Sequence, residues 1–217
     1  MKTYNKIVTA GCSFTYGYGL EDPSKQSWPA VLAERLGCDL TNLAVPGAGN
    51  TYIANSIIDN HVVDPDCDLV VIGWSFFSRM DLCHHNGKIM HLSHNSRNNK
   101  DLVAMLYGNY MHLPYAYKKY LNTVLLLQGW LESKKIDYMM FDAISGNHDS
   151  VFLEDDLTRG LTKNIDRQRF MGFGVKNLDN MTDPAHRLPD GHPDHRAHAR
   201  MAEILHDFLL NMRKDPS

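Results

Sequence analysis

The run Asp68-Leu69-Val70-Val71-Ile72-Gly73-Trp74 constrains this chain more than any other segment. Its nearly continuous apolar character is that of a strand covered on both faces, and such strands belong to parallel sheets with helices above and below. Lys6-Ile7-Val8-Thr9-Ala10 is an earlier β-rich run, Asp39 to Val45 a second strand and Ile136 to Ala143 a fourth. Helical stretches fill the intervals. One opens at Ser27-Trp28-Pro29-Ala30 and runs to about Leu36, with Pro29 in its first turn and Gly37 at its stop. A second follows Pro46-Gly47-Ala48-Gly49-Asn50 and carries Ile53, Ile57 and Ile58 on one side. A third covers Leu102 to Lys134, interrupted near Pro114. Ala197, Met201, Ile204, Leu205, Phe208 and Leu209 recur at helical spacing, which predicts an amphipathic terminal helix from about Asp194 to Met212. Strands alternating with helices predict a three-layer α/β sandwich, with residues 1–217 forming one domain. The polar, histidine-rich stretch 78–100 and the mixed stretch 145–190 are expected to be loops and short helices, the usual seat of specificity.

Hydrophobic residues make up 43% of the chain and charged ones 22%, with a net charge of -3. That balance suits a soluble globular protein and gives no basic footprint for nucleic acid. Cys12, Cys38, Cys67 and Cys83 are scattered without a Cys-x-x-Cys pair, so they are expected to be buried thiols. The amino-terminal residues lead directly into a short strand, and no apolar run approaches membrane-spanning length. A cytoplasmic protein without membrane partners is expected; no pattern specifies an oligomeric state.

Chemistry concentrates at the strand ends. Gly11-Cys12-Ser13-Phe14-Thr15-Tyr16-Gly17 follows the first strand, and a Gly-x-Ser turn there points a hydroxyl into the cleft where open α/β sheets bind ligands. Thr15 stands two residues on, so the Gly-x-Ser-x-Gly elbow of the α/β-hydrolases is absent. A serine nucleophile needs a base, a carboxylate to orient it and donors for the oxyanion. His192 is the best candidate base, in Asp190-Gly191-His192-Pro193 just before the terminal helix, with Asp190 two residues away.

Together, the three turns and the carboxyl-terminal loop resemble the SGNH (GDSL-like) hydrolase family over most of the chain. The resemblance implies a mainly parallel, flavodoxin-like central sheet in an α/β/α sandwich and a serine esterase that needs no cofactor. Ala10-Gly11-Cys12-Ser13 matches the first block, with Gly-Cys-Ser in place of Gly-Asp-Ser, and makes Ser13 the nucleophile. Asn42 to Asn50 resembles the second, in which Gly47 lends its backbone N–H to the oxyanion hole beside that of Ser13. The third block, normally Gly-x-Asn, here reads Gly73-Trp74-Ser75, so either Ser75 or Asn50 would supply the third donor. The last block usually has aspartate three residues before histidine. Asp190 is one residue closer to His192, whereas Asp183-Pro184-Ala185-His186 keeps the usual spacing; His192 is preferred for its proline and its distance from the helix. The implied substrate is a small acyl ester, such as an acetyl group on carbohydrate. A non-catalytic carbohydrate- or ligand-binding protein and an acyltransferase using the same serine are the alternatives.

Several residues also have plainer explanations. Ser75 suits a turn hydroxyl bonded to nearby backbone, and Asn50 a helix N-cap. His195 and His198 are expected to face solvent in the first turns of the last helix, although His198 falls where the family frequently has a structural histidine. His84, His85, His91 and His94 show no His-x-x-x-His spacing, so no metal is predicted. Trp74 is expected to pack beside the cleft as a substrate contact. Arg79 is expected either to bind a substrate carboxylate or, more simply, to pair with Asp81. Tyr16 and Tyr18 could stack on a sugar ring or close their loop.

Overall fold

The computed structural model of the protein describes residues 3–60, 63–65, 68–96, 99–144, 147 and 155–212. Cys67 and, apart from Asn147, positions 145–154 of the expected loop lie outside them. Five strands, β1 (Lys6–Ala10), β2 (Asp39–Asn42), β3 (Asp68–Trp74), β6 (Asp137–Asp142) and β7 (Phe170–Met171), form one sheet in the order β2-β1-β3-β6-β7. All four pairings are parallel. Counted within this sheet the order is 2-1-3-4-5, the flavodoxin-like doubly wound arrangement. The predicted second strand is shorter than expected, ending at Asn42, and β7 has only two residues.

The pleat of β3 explains the layers. Val70, Ile72 and Trp74 project to one side, where they join Ile53 and Ile57 of α4 (Asn50–Ile58) and Leu121, Val124 and Leu127 of α6 (Leu113–Ser133). Leu69 and Val71 project to the other, against Trp28 and Leu32 of α3 (Trp28–Leu36) and Met201, Leu205 and Leu209 of α8 (His195–Met212). Every residue of β3 is buried, so the strand that identifies the fold also divides its two cores. Gly37 closes α3 in the left-handed conformation, at φ 64°, as its sequence position implies. Among the described residues four short α-helices complete the set: α1 (Ser13–Tyr16), α2 (Pro23–Gln26), α5 (Lys100–Met105) and, in the later connection, α7 (Arg159–Thr162). Among the described residues no helix is long and apolar enough to cross a membrane.

The stretch 78–100, expected as loop, instead contains an antiparallel hairpin of β4 (Met80–Cys83) and β5 (Ile89–Leu92). Asp81 and His91 face each other across it, and this polar inward pair hides the apolar alternation of an ordinary hairpin. The thiols also differ from expectation: Cys12 is buried, Cys38 half-buried and Cys83 exposed, all three free.

His198 corrects another expectation, because it is fully buried rather than solvent-facing. Its Nδ1 accepts the Trp28 backbone N–H at 3.0 Å, pinning the start of α3 to α8 and leaving the ring proton on Nε2. Burial lowers its pKa from 6.5 to about 4; the charges of His192 and Arg187 push the same way, while Asp194 opposes them. Between those two values the unfolded chain binds a proton that the folded chain refuses, so stability rises with pH. Acidification from pH 6.5 towards 4 is therefore expected to remove up to about 3 kcal/mol, at 1.36 kcal/mol per unit. Urea unfolding at several pH values would show this slope in wild type and a flatter one in His198→Asn.

Candidate active site

β1 and β3 are adjacent, and the connections leaving their carboxyl ends meet at the point where the strand order reverses, the usual ligand crevice of such sheets. Gly11 is required there by space. A Cβ at this position would lie 2.1 Å from Thr15 Oγ1, 2.5 Å from Thr15 Cβ and 3.0 Å from the Gly73 carbonyl oxygen. Gly11→Ala is accordingly expected to destabilise the fold by about 1–3 kcal/mol, read as a lower urea midpoint at unchanged slope.

Ser13 opens α1 directly after this turn and is only 6% exposed. The first two strand-end turns are sewn together. Val45 donates its N–H to the Gly11 carbonyl at 3.1 Å, and Asn42 accepts the Thr9 hydroxyl at 2.9 Å while donating to the Thr15 carbonyl at 3.2 Å. Gly47 follows in the left-handed conformation, at φ 84°, which a side chain would strain. Its N–H and that of Ser13 have no acceptor among the described residues.

The carboxyl-terminal loop folds back as a small hairpin. Arg187 pairs with Pro193, Leu188 N–H donates to the His192 carbonyl at 2.7 Å, and Gly191 turns the chain at φ 88°. This places the His192 ring against two aromatic residues that follow Ser13, 5.6 Å from the Phe14 ring centroid and 5.0 Å from that of Tyr18. No hydrogen bond joins His192 to the Ser13 hydroxyl. Asp190 accepts the His192 backbone N–H at 3.1 Å, and its other oxygen lies 3.1 Å from Nδ1 without the alignment of a hydrogen bond. The backbone bond and the nearby imidazole lower the Asp190 pKa. The rival pair does not form: His186 Nδ1 lies 3.5 Å from Asp194, and Asp183 accepts the Ala185 N–H instead.

Beyond β3 the chain enters a polar network that is largely invisible in sequence. Asn50 does not cap α4; Gly49 is the N-cap residue, and Asp81 reaches across to accept the N–H groups of Gly49 and Tyr52 at 2.8 and 2.9 Å. Asn50 instead clamps Ser75, accepting its N–H at 2.8 Å and donating to its carbonyl at 3.1 Å. Asn147 donates to that same carbonyl at 3.0 Å and to Asp142 at 2.7 Å, and Asp142 also accepts the Tyr120 hydroxyl at 2.6 Å. Burial, reinforced by Asp142, raises the Tyr120 pKa well above the usual phenol value, so this hydroxyl remains a donor. The Ser75 hydroxyl is buried and has no partner among the described residues, unlike the satisfied turn hydroxyl expected.

Trp74 does not stand at the cleft; it is fully buried, with Tyr120 at 6.2 Å in edge contact, and cannot touch a substrate there. Arg79 does not pair with Asp81, whose oxygens are taken by the α4 N–H groups and, at 2.8 Å, by His91 Nδ1. Tyr16 and Tyr18 are 43% and 47% exposed beside the serine turn. Among the described residues no three potential ligands are grouped to hold a metal ion.

The parallel sheet of order 2-1-3-4-5, flanked by helices on both faces, is that of the SGNH (GDSL-like) hydrolase fold. A psychrotrophic esterase from Pseudoalteromonas shares it at 12% identity and TM-score 0.58, over 97% of this chain and 100% of that one. An acetyl xylan esterase from Butyrivibrio proteoclasticus matches at 14% identity and TM-score 0.58, over 97% and 65% of the respective chains. A member of the lipolytic G-D-S-L family from Veillonella parvula matches at 16% and TM-score 0.50, over 93% and 96%. By sequence the chain belongs to the Family of unknown function (DUF6071), whose model matches residues 18–203 and so begins just after Ser13. No curated protein sequence matches it.

Proposed function

We propose that this protein is a serine esterase that hydrolyses small acyl esters, acetyl groups on carbohydrate among them, through an acyl-enzyme. The observation that carries this reading is the His192 ring, held by its hairpin against Phe14 and Tyr18, which follow Ser13 closely in the chain. His192 takes the Ser13 proton as Oγ attacks the ester carbonyl, then returns it to the departing alcohol; water repeats the sequence and releases the acid. The N–H groups of Ser13 and Gly47 hold the oxyanion. Either Ser75, whose hydroxyl has no partner among the described residues but is fully buried, or Asn50, whose amide already donates to the carbonyls of Ser75 and, at 3.5 Å, Phe76, completes the hole as third donor. Asp190 steadies the imidazole chiefly by charge. Tyr16 flanks the entrance as a surface for the alcohol part of the substrate.

The esterase and lipolytic proteins that share the fold support this reading. The test is turnover of p-nitrophenyl acetate and of acetylated sugars, with an added acceptor alcohol to separate hydrolysis from acyl transfer. Free acetate as the product, suppressed in Ser13→Ala, is expected. The commitment of Asn50 to backbone favours a second reading, a non-catalytic carbohydrate-binding protein, and saturable sugar binding without any turnover would select it.

A further inference from the structure

At the carboxyl edge of the sheet a pocket of about 220 Å3 lies between the start of α4, the segment linking β3 to β4, and the first turns of α6. Arg79 lines it, half-buried. A guanidinium stays charged at any physiological pH and is seldom left partly desolvated without an anion. Among the described residues Arg79 nevertheless has no carboxylate within ion-pair distance, and its one hydrogen bond there is a long one, 3.5 Å from Nη1 to the Ala48 carbonyl. Among the described residues the only acid lining the pocket is Asp81, which is already engaged by two backbone N–H groups and His91. Lys119 adds a second cation at the exposed rim, and Tyr110 and Tyr115 present exposed rings there.

We propose that this pocket is an anion site in which Arg79 takes the carboxylate or phosphate of a sugar-like ligand and Lys119 assists from the rim. A planar guanidinium binds either oxyanion in bidentate fashion, and tyrosine rings suit the face of a sugar. The Arg79 contact falls on Ala48, next to Gly47, so an anion held here sits beside the turn that offers a free N–H to the site. Resting on the esterase reading, this makes the preferred ester one whose sugar carries an acidic group.

The experiment is a calorimetric titration of the full chain carrying Ser13→Ala, so that binding is read without turnover. Glucuronate, glucose 6-phosphate and glucose are the probes. Glucuronate or glucose 6-phosphate is expected to bind at least 10-fold more tightly than glucose, and the tighter of the two tells carboxylate from phosphate. Adding Arg79→Ala should remove at least 10-fold of that affinity, and Lys119→Ala a few-fold. Should Arg79→Ala fail to fold, Arg79→Gln carries the same expectation. Equal affinities for the three probes, or anion affinity unchanged without Arg79, would overturn the site. Anion binding by a wild type that turns over no ester would end the esterase reading and leave the site standing.

Discussion

Ser13→Ala is expected to lower kcat for p-nitrophenyl acetate at least ~1000-fold, because removing a nucleophile leaves only the catalysis supplied by oxyanion donors and binding. The fold should be indifferent to the change. The Ser13 hydroxyl has no hydrogen-bond partner among the described residues, and the turn around it is set by Gly11, Asn42 and the backbone bonds of Cys12. A urea midpoint near that of wild type, combined with lost turnover, separates chemistry from stability. A variant retaining most of its activity would remove Ser13 from the mechanism.

His192→Gln is expected to cost nearly as much, on the order of 100- to 1000-fold in kcat, since the amide cannot accept the serine proton. Combining it with Ser13→Ala should cost no more than Ser13→Ala alone, because the two act as a unit. Asp190→Asn should be far milder, below ~10-fold. Its carboxylate is 48% exposed and not aligned for a hydrogen bond to Nδ1, so solvent screens much of what it offers. Steady-state kinetics of the three variants would check this ranking, which differs from that of a triad with a buried aspartate.

What could be read from sequence follows physical range. β3 was legible because every residue in it is buried, and α3 because its proline and glycine mark its ends locally. The turns that carry Ser13 and His192 were legible for the same reason: glycines and a proline define their shape locally. β7 was not, since two residues carry no periodicity. The β4–β5 hairpin was missed because its inward pair is Asp81 with His91, polar side chains where alternation predicts apolar residues. Asp81, Asp142 and Asn147 act on chain segments far from them, and no local pattern announces such work. Trp74 and the expected Arg79–Asp81 pair were misjudged by the same limit, as burial and pairing depend on what packs above the strand. His198 is different. It lies on one helical stripe with Met201, Ala202 and Leu205, all buried, so its inward orientation was present in the spacing.

The most direct test of the central claim is covalent labelling with a fluorophosphonate, followed by mass spectrometry of the digested protein. A serine activated by His192 should gain one phosphonyl group on the peptide containing Gly11-Cys12-Ser13, and the label should vanish in Ser13→Ala and fall sharply in His192→Gln. An unlabelled wild type, or a label carried on another residue and unaffected by either substitution, would contradict the assignment of Ser13 as nucleophile.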